Sequence, residues 1–101
     1  MTGVLTGQTA LVTGASRGIG RAIAEALATA GAKVIGTATS PAGAEAITAW
    51  LGGAATAGRG AVLDVADAAS VEALLGSLEA AGEMPGILVN NAGITRDALL
   101  M

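Results

Sequence analysis

The stretch Ala10-Leu-Val-Thr-Gly-Ala-Ser-Arg-Gly-Ile-Gly20 leaves this chain few folds to choose from. An apolar run of Ala10, Leu11 and Val12 enters a turn with glycines at 14, 18 and 20. The turn opens at once into Arg21-Ala-Ile-Ala-Glu-Ala-Leu-Ala, which reads as a helix. Glycine allows a tight turn and removes the Cβ that would hold an anion away from the backbone. The start of the helix offers unpaired N–H groups and the positive end of its dipole. Strand, glycine turn and helix in that order suit the pyrophosphate of a dinucleotide. The spacing is Gly-x-x-x-Gly-x-Gly, not the commoner Gly-x-Gly-x-x-Gly. The plainer alternative is a tight turn that needs glycine only for packing. It loses ground because the strand before, the helix after and the next crossover are all in register.

Strand and helix patterns alternate along the rest of the chain. Residues 8–13 read as a first strand and 18–30 as a helix with Ile19, Ile23 and Leu27 on one face, stopped at Gly31. Residues 32–37 read as a second strand. Ser40-Pro41 then supplies an N-cap and a proline at the first helical position, opening a helix with Ala44, Ile47 and Leu51 that ends at Gly52-Gly53. Residues 54–60 read as a loop and 61–65 as a third strand. Asp67 or Ser70 caps a third helix whose Val71, Leu74, Leu75 and Leu78 form an apolar stripe. Residues 82–86 read as a turn, 87–90 as a fourth strand and 91–95 as a loop, and Asp97 is a candidate cap for a further helix from Ala98. Short apolar strands between amphipathic helices predict an α/β fold, a parallel sheet covered on both faces. Right-handed crossovers give the strand order 3-2-1-4, the first half of a doubly wound sheet. Strand 4 is then an apolar edge, and the sequence stops at Leu99-Leu100-Met101 inside a starting helix. Residues 1–101 are therefore expected to be the N-terminal, nucleotide-binding part of a single domain, truncated at its C-terminal end.

Composition removes several function classes. Five Lys and Arg against eight Asp and Glu leave a net charge of −3, and Arg17, Arg21, Lys33, Arg59 and Arg96 are scattered. No basic stripe points to nucleic acid or an anionic membrane. Cysteine and histidine are absent, which excludes disulfides and thiolate or imidazole metal sites. The opening residues lack the basic and apolar regions of a signal peptide, and no apolar run is long enough to span a bilayer. A cytoplasmic location is the expectation.

The end of the second strand bears on cofactor choice. An NAD-preferring site of this kind places Asp or Glu about 20 residues after the glycines, on the ribose 2′-OH. This sequence has Gly36-Thr-Ala-Thr-Ser40 there, without a carboxylate. Thr37, Thr39 and Ser40 can donate hydrogen bonds to a 2′-phosphate, and Arg17 in the glycine turn can supply charge. NADP(H) is expected over NAD(H); the alternative for Arg17 is a solvated turn residue. Asp64 ends the third strand at the edge where such sheets bind ligands. It can accept from an adenine amino group or cap the next turn, and spacing leaves both open. Asn90-Asn91-Ala92-Gly93 ends the fourth strand at the same edge, where Gly93 admits a ligand and an Asn side chain can tie strand ends together. An ordinary Asn-Gly loop is the alternative.

No residue here is expected to be catalytic. The chain contains no Tyr, His or Cys, and its one lysine, Lys33, heads the second strand at the far end of the sheet. No two carboxylates have a spacing that suggests an acid–base pair. A nicotinamide carries hydride, but the protein must still deliver a proton to a carbonyl oxygen, and these residues offer no group for that task.

Thr13-Gly-Ala-Ser-Arg-Gly-Ile-Gly20 resembles the cofactor motif of the short-chain dehydrogenase/reductase family, and Asn90-Asn-Ala-Gly93 resembles its strand-4 motif. Val34-Ile-Gly-Thr-Ala-Thr-Ser40 and Asn90-Asn-Ala-Gly-Ile-Thr-Arg-Asp-Ala-Leu-Leu-Met101 narrow the resemblance to the bacterial 3-oxoacyl-[acyl-carrier-protein] reductases of type II fatty acid synthesis. The resemblance covers essentially the whole chain. It implies a Rossmann-type sheet and, for the intact protein, an NADPH-dependent reduction of 3-oxoacyl-[acyl-carrier-protein] to the 3-hydroxyacyl form by a cytoplasmic homotetramer. It implies that Gly14, Ala15, Ser16, Arg17, Gly18, Ile19 and Gly20 cradle the diphosphate side of NADPH. Thr39 then lies beside the 2′-phosphate, Asp64 and Val65 flank the adenine, and Asn91, Ala92 and Gly93 line the ribose side. The family's catalytic Asn, Ser, Tyr and Lys fall further along than this sequence reaches. Two other readings stay open: another short-chain reductase, such as one acting on acetoacetyl-coenzyme A, and a catalytically inactive nucleotide-binding fragment.

Overall fold

Strand β1 (Thr9–Val12) takes the centre of the sheet because it is apolar on both faces: Ala10, Leu11 and Val12 are all buried. In the computed structural model, which describes residues 4–16, 18–52 and 58–91, four strands make one parallel sheet. Strand β2 (Lys33–Ala38) lies on one side of β1, with Leu11 opposite Ile35, and β3 (Arg59–Val62) lies beyond it, with Gly36 opposite Gly60. Strand β4 (Ile87–Val89) lies on the other side, with Leu11 opposite Leu88. The order is β3-β2-β1-β4, the one the crossover rule predicts.

Helices α1 (Gly18–Thr29) and α2 (Pro41–Leu51) cover one face, packing Ala24, Ala28, Ile47 and Leu51 on Ala10, Val12, Val34 and Ala38. Helix α3 (Ala68–Ala80) covers the other, packing Leu74 and Leu78 on Leu11, Ile35 and Leu63. The α2 start is as its sequence predicts: Ser40 Oγ accepts from the Gly43 N–H at 3.1 Å, and Pro41 follows at the first helical position. Asp67, not Ser70, caps α3, its Oδ1 accepting from the Ala69 N–H at 3.0 Å. Gly31, at φ +103°, ends α1 in a conformation that favours glycine.

Three expectations need correction. Helix α1 does not bury the Ile19–Ile23–Leu27 face; it buries Gly20, Ala24 and Ala28. Small side chains let the helix lie close to the sheet, so Ile23 and Leu27 are only partly buried and Ile19 is 66% exposed. The third strand runs over 59–62, not 61–65. Its start is set by contacts rather than propensity. Gly60 lets α2 approach so closely that a Cβ there would stand 2.0 Å from the Ala44 carbonyl oxygen, and Arg59 is held by an ion pair. The α3 stripe is only half used: Leu75 stays 37% exposed, facing a groove beside Leu88, which is 65% exposed on β4.

Lys33 has a structural task at the end of the sheet opposite the glycine turn. Its ammonium and the Arg59 guanidinium both pair with Glu83, the latter at 2.6 Å, tying β2 and β3 to the segment between α3 and β4. The hydrogen bond from Lys33, then that from Arg59, holds the Glu83 carboxyl below its usual 4.5, against the opposing effect of burial. A lowered carboxylate pKa adds stability that is complete above the unfolded value and is lost as pH falls through the lower, folded value. Glu83→Gln is therefore expected to cost about 1–2 kcal/mol at neutral pH, the partners being half exposed. It should also flatten the acid limb of the stability curve. Urea unfolding at neutral pH and well below pH 4 measures both, and an unchanged acid limb would contradict the assignment.

Candidate functional site

The carboxyl ends of β1, β2 and β3 converge on one cleft. It encloses ≈ 330 Å³ and is lined by Gly14 and Ser16 from the glycine turn, Ala38 and Thr39 from the end of β2, and Leu63, Asp64 and Val65 after β3. Doubly wound parallel sheets bind ligands outside the carboxyl ends of their strands, and this cleft lies at that edge. Five of the sequence-predicted residues thus share the cleft: Gly14, Ser16, Thr39, Asp64 and Val65.

The glycine turn is built for close approach. Gly14 and Gly18 both sit at φ +63°, a conformation that L side chains rarely adopt. Gly20 packs directly on the turn: a Cβ there would lie 2.1 Å from the Gly14 carbonyl oxygen and 2.5 Å from Asn91 Nδ2. Helix α1 begins at Gly18 with its first residues, Gly18 and Ile19, exposed. Ala15 is fully buried and its N–H donates to the Thr37 carbonyl at 2.8 Å, so it shapes the turn rather than offering a donor to the cleft.

The end of β4 is tied to the same turn. Asn91 Nδ2 donates to the Gly14 carbonyl at 3.0 Å. Thr13 N–H donates to the Val89 carbonyl at 3.0 Å, and its hydroxyl lies 3.3 Å from Asn90 Oδ1. The two asparagines therefore brace strand ends, the tie anticipated for that segment. Arg17, Ala92 and Gly93 lie outside the described residues.

Asp64 stands two residues past β3 rather than at its end. Its Oδ1 accepts from the Ala66 N–H at 3.0 Å, and its own N–H donates to Ser70 Oγ at 3.0 Å. The turn-capping role left open by spacing is the one this carboxylate occupies, and it lines the cleft as well. At the end of β2, Thr39 is exposed at the cleft and Ser40 Oγ accepts from Gly43 while keeping its own proton to donate. Thr37 differs from the expectation. It is 1% exposed and its Oγ1 accepts from the Gly14 N–H at 3.4 Å, so it cannot reach a ligand at the strand end. A hydroxyl in an otherwise apolar buried strand was the sequence signal for this inward role.

The lining fits a nucleotide better than a metal. Among the described residues no three carboxylates cluster in a way that could hold an ion. No acidic side chain from β2 faces the position after Ala38, while hydroxyls and small residues do. No helix of the described residues is long and apolar enough to cross a membrane.

Comparison with known proteins gives consistent results. Residues 8–100 match the short chain dehydrogenase family. Over 95 residues, 94% of this chain, the sequence is 62% identical to the 3-oxoacyl-[acyl-carrier-protein] reductase FabG of Escherichia coli (strain K12). Over 97 residues, 96% of this chain, it is 59% identical to the protein of the same name from Haemophilus influenzae and 56% identical to that of Pseudomonas aeruginosa. The chain spans only 38% of the E. coli relative's length and 39% of the other two.

Proposed function

The chain belongs to the short chain dehydrogenase family, and from that premise we propose that it is the NADP(H)-binding part of a 3-oxoacyl-[acyl-carrier-protein] reductase. The intact protein would reduce the 3-oxo group of an acyl thioester carried on acyl carrier protein, in type II fatty acid synthesis, as a cytoplasmic homotetramer. The observation that carries the nucleotide half of this reading is the cleft, where Gly14, Ser16, Thr39 and Asp64 converge beside a helix that starts with glycine. The choice of thioester rests on the relatives whose names state that substrate.

NADPH supplies the hydride when bound. The residues here bind and orient it. The turn Gly14–Gly20, including Arg17 and Ile19, would receive the diphosphate against the N-terminus of α1, where backbone N–H groups and the helix dipole favour negative charge. Thr39 and Arg17 would hold the 2′-phosphate, Asp64 and Val65 would bound the adenine, and Asn91, Ala92 and Gly93 would line the ribose side. With no Tyr, His or Cys in the sequence, the proton donor belongs to catalytic residues outside it.

Two experiments test this. Arg17→Ala is expected to weaken NADPH binding about tenfold, the loss of one charge-assisted phosphate contact, and to weaken NADH binding far less. Thr39→Asp should move the preference toward NADH by placing a carboxylate at the 2′ position. Equal losses for both nucleotides, or an unchanged preference, would refute the 2′-phosphate assignment. For the substrate, NADPH consumption by the intact protein is followed with 3-oxoacyl-[acyl-carrier-protein] and with the matching coenzyme A thioester. Preference for the carrier-protein thioester supports the proposal. Turnover on coenzyme A thioesters alone would make it a different short-chain reductase, and turnover on neither would leave a nucleotide-binding module.

A further inference from the structure

We propose that Thr37 is a positioning residue for the glycine turn, fixing the amides of Gly14 and Ala15 before any nucleotide arrives. The proposal rests on the nucleotide-binding reading above and adds to it a buried residue that no ligand touches. Thr37 is 1% exposed in the middle of the sheet, between β1 and β3, where its neighbour on the same face, Ile35, is apolar. A buried hydroxyl is costly unless it is bonded, and valine would suit a central strand at least as well. What the hydroxyl provides is an acceptor: Oγ1 takes the Gly14 N–H at 3.4 Å, while the carbonyl of the same residue takes the Ala15 N–H at 2.8 Å. From the other side Asn91 Nδ2 donates to the Gly14 carbonyl at 3.0 Å. The peptide joining Gly14 to Ala15 is thus held at its oxygen from the β4 end and at its nitrogen from β2.

This grip matters because Gly14 is at φ +63° and glycine has the widest conformational choice of any residue. A turn free to sample that choice binds its ligand with an affinity reduced by the fraction of time it is correctly shaped. Thr37 raises that fraction in the unliganded protein. It also directs two N–H groups inward, so the donors left for a phosphate are those later in the turn and at the start of α1.

The test compares three variants of the full chain by NADPH titration and chemical unfolding. Thr37→Val keeps the shape and removes the acceptor; its NADPH dissociation constant is expected to rise about fivefold or more. Thr37→Ser restores the hydroxyl and should bind within about twofold of wild type. Thr48→Val is the control, since Thr48 Oγ1 accepts from the Gly60 N–H at 2.9 Å and donates to the Ala44 carbonyl at 3.1 Å, both partners lying outside the glycine turn. It should lose stability without losing affinity. Wild-type affinity in Thr37→Val, or an equal affinity loss in Thr48→Val, would overturn the proposal while leaving the nucleotide site intact. A wild-type chain that takes up no NADPH would overturn the nucleotide reading and this proposal with it. If Thr37→Val does not fold, amide hydrogen exchange of the unliganded wild type decides. Slow exchange at Gly14 and Ala15 supports the grip, and exchange as fast as in an open loop refutes it.

Discussion

Gly20→Ala is expected to abolish tight nucleotide binding and to lower stability in the same step. The added Cβ would stand 2.1 Å from the Gly14 carbonyl oxygen, 2.9 Å from the Gly14 carbonyl carbon and 2.5 Å from Asn91 Nδ2. Two of these atoms are backbone and the third already bonds that same carbonyl. None is the free end of a flexible side chain, so α1 must move away from the turn or the turn must change shape. Overpacking of this kind costs about 1–3 kcal/mol and more where backbone must yield. The same movement breaks the Asn91 bond and separates the helix N-terminus from the glycines, so NADPH affinity should fall at least about tenfold, the equivalent of 1.4 kcal/mol. Chemical unfolding with and without NADPH measures both effects. The wild type should be stabilised by saturating nucleotide, since a ligand that binds only the folded state shifts unfolding by mass action. The variant should be less stable and should gain at least about 1.4 kcal/mol less from the nucleotide. A folded Gly20→Ala protein with full nucleotide stabilisation would contradict the geometry of the turn.

Gly60→Ala should be as damaging to stability, and for a different reason. Its Cβ would meet the Ala44 carbonyl oxygen at 2.0 Å, the Ala44 carbonyl carbon at 2.8 Å and Ile47 Cβ at 2.9 Å. Ile47 is fully buried at the centre of the α1/α2 face, so α2 cannot yield without opening that core. Lifting α2 also strains the Gly60 N–H bond to Thr48 Oγ1 at 2.9 Å. About 3 kcal/mol is the expected loss, a large part of the stability of a domain this size. Because Gly60 lies below the cleft rather than in it, NADPH should raise the unfolding midpoint of Gly60→Ala much as it raises that of the wild type. The pair of glycines therefore separates two uses of the same residue type: one keeps the site open, the other lets a helix lie against the sheet.

The sequence carried the topology because the fold depends on features visible one segment at a time. Apolar runs mark the strands, Ser40-Pro41 and Gly31 mark helix ends, and the handedness of the crossovers orders the sheet. The glycine turn was equally visible, since its glycines answer to backbone geometry. Burial of α1 was not, because hydrophobicity points to Ile19, Ile23 and Leu27 while close packing selects Gly20, Ala24 and Ala28. The limits of β3 were hidden for the same reason. Gly60 is a poor strand former, and it and Arg59 are held in the strand by partners distant in sequence, Ala44 and Glu83. Thr37 looked like a ligand donor next to Thr39; only strand register reveals that it is sealed between β1 and β3.

Calorimetric titration of the chain with NADPH and then with NADH decides whether the cleft is a nucleotide site and which nucleotide it prefers. One NADPH should bind per chain, at least about tenfold more tightly than NADH, since no carboxylate follows β2 while Thr39 and Ser40 offer hydroxyls there. Absence of binding by either nucleotide, or tighter binding of NADH, would contradict the assignment.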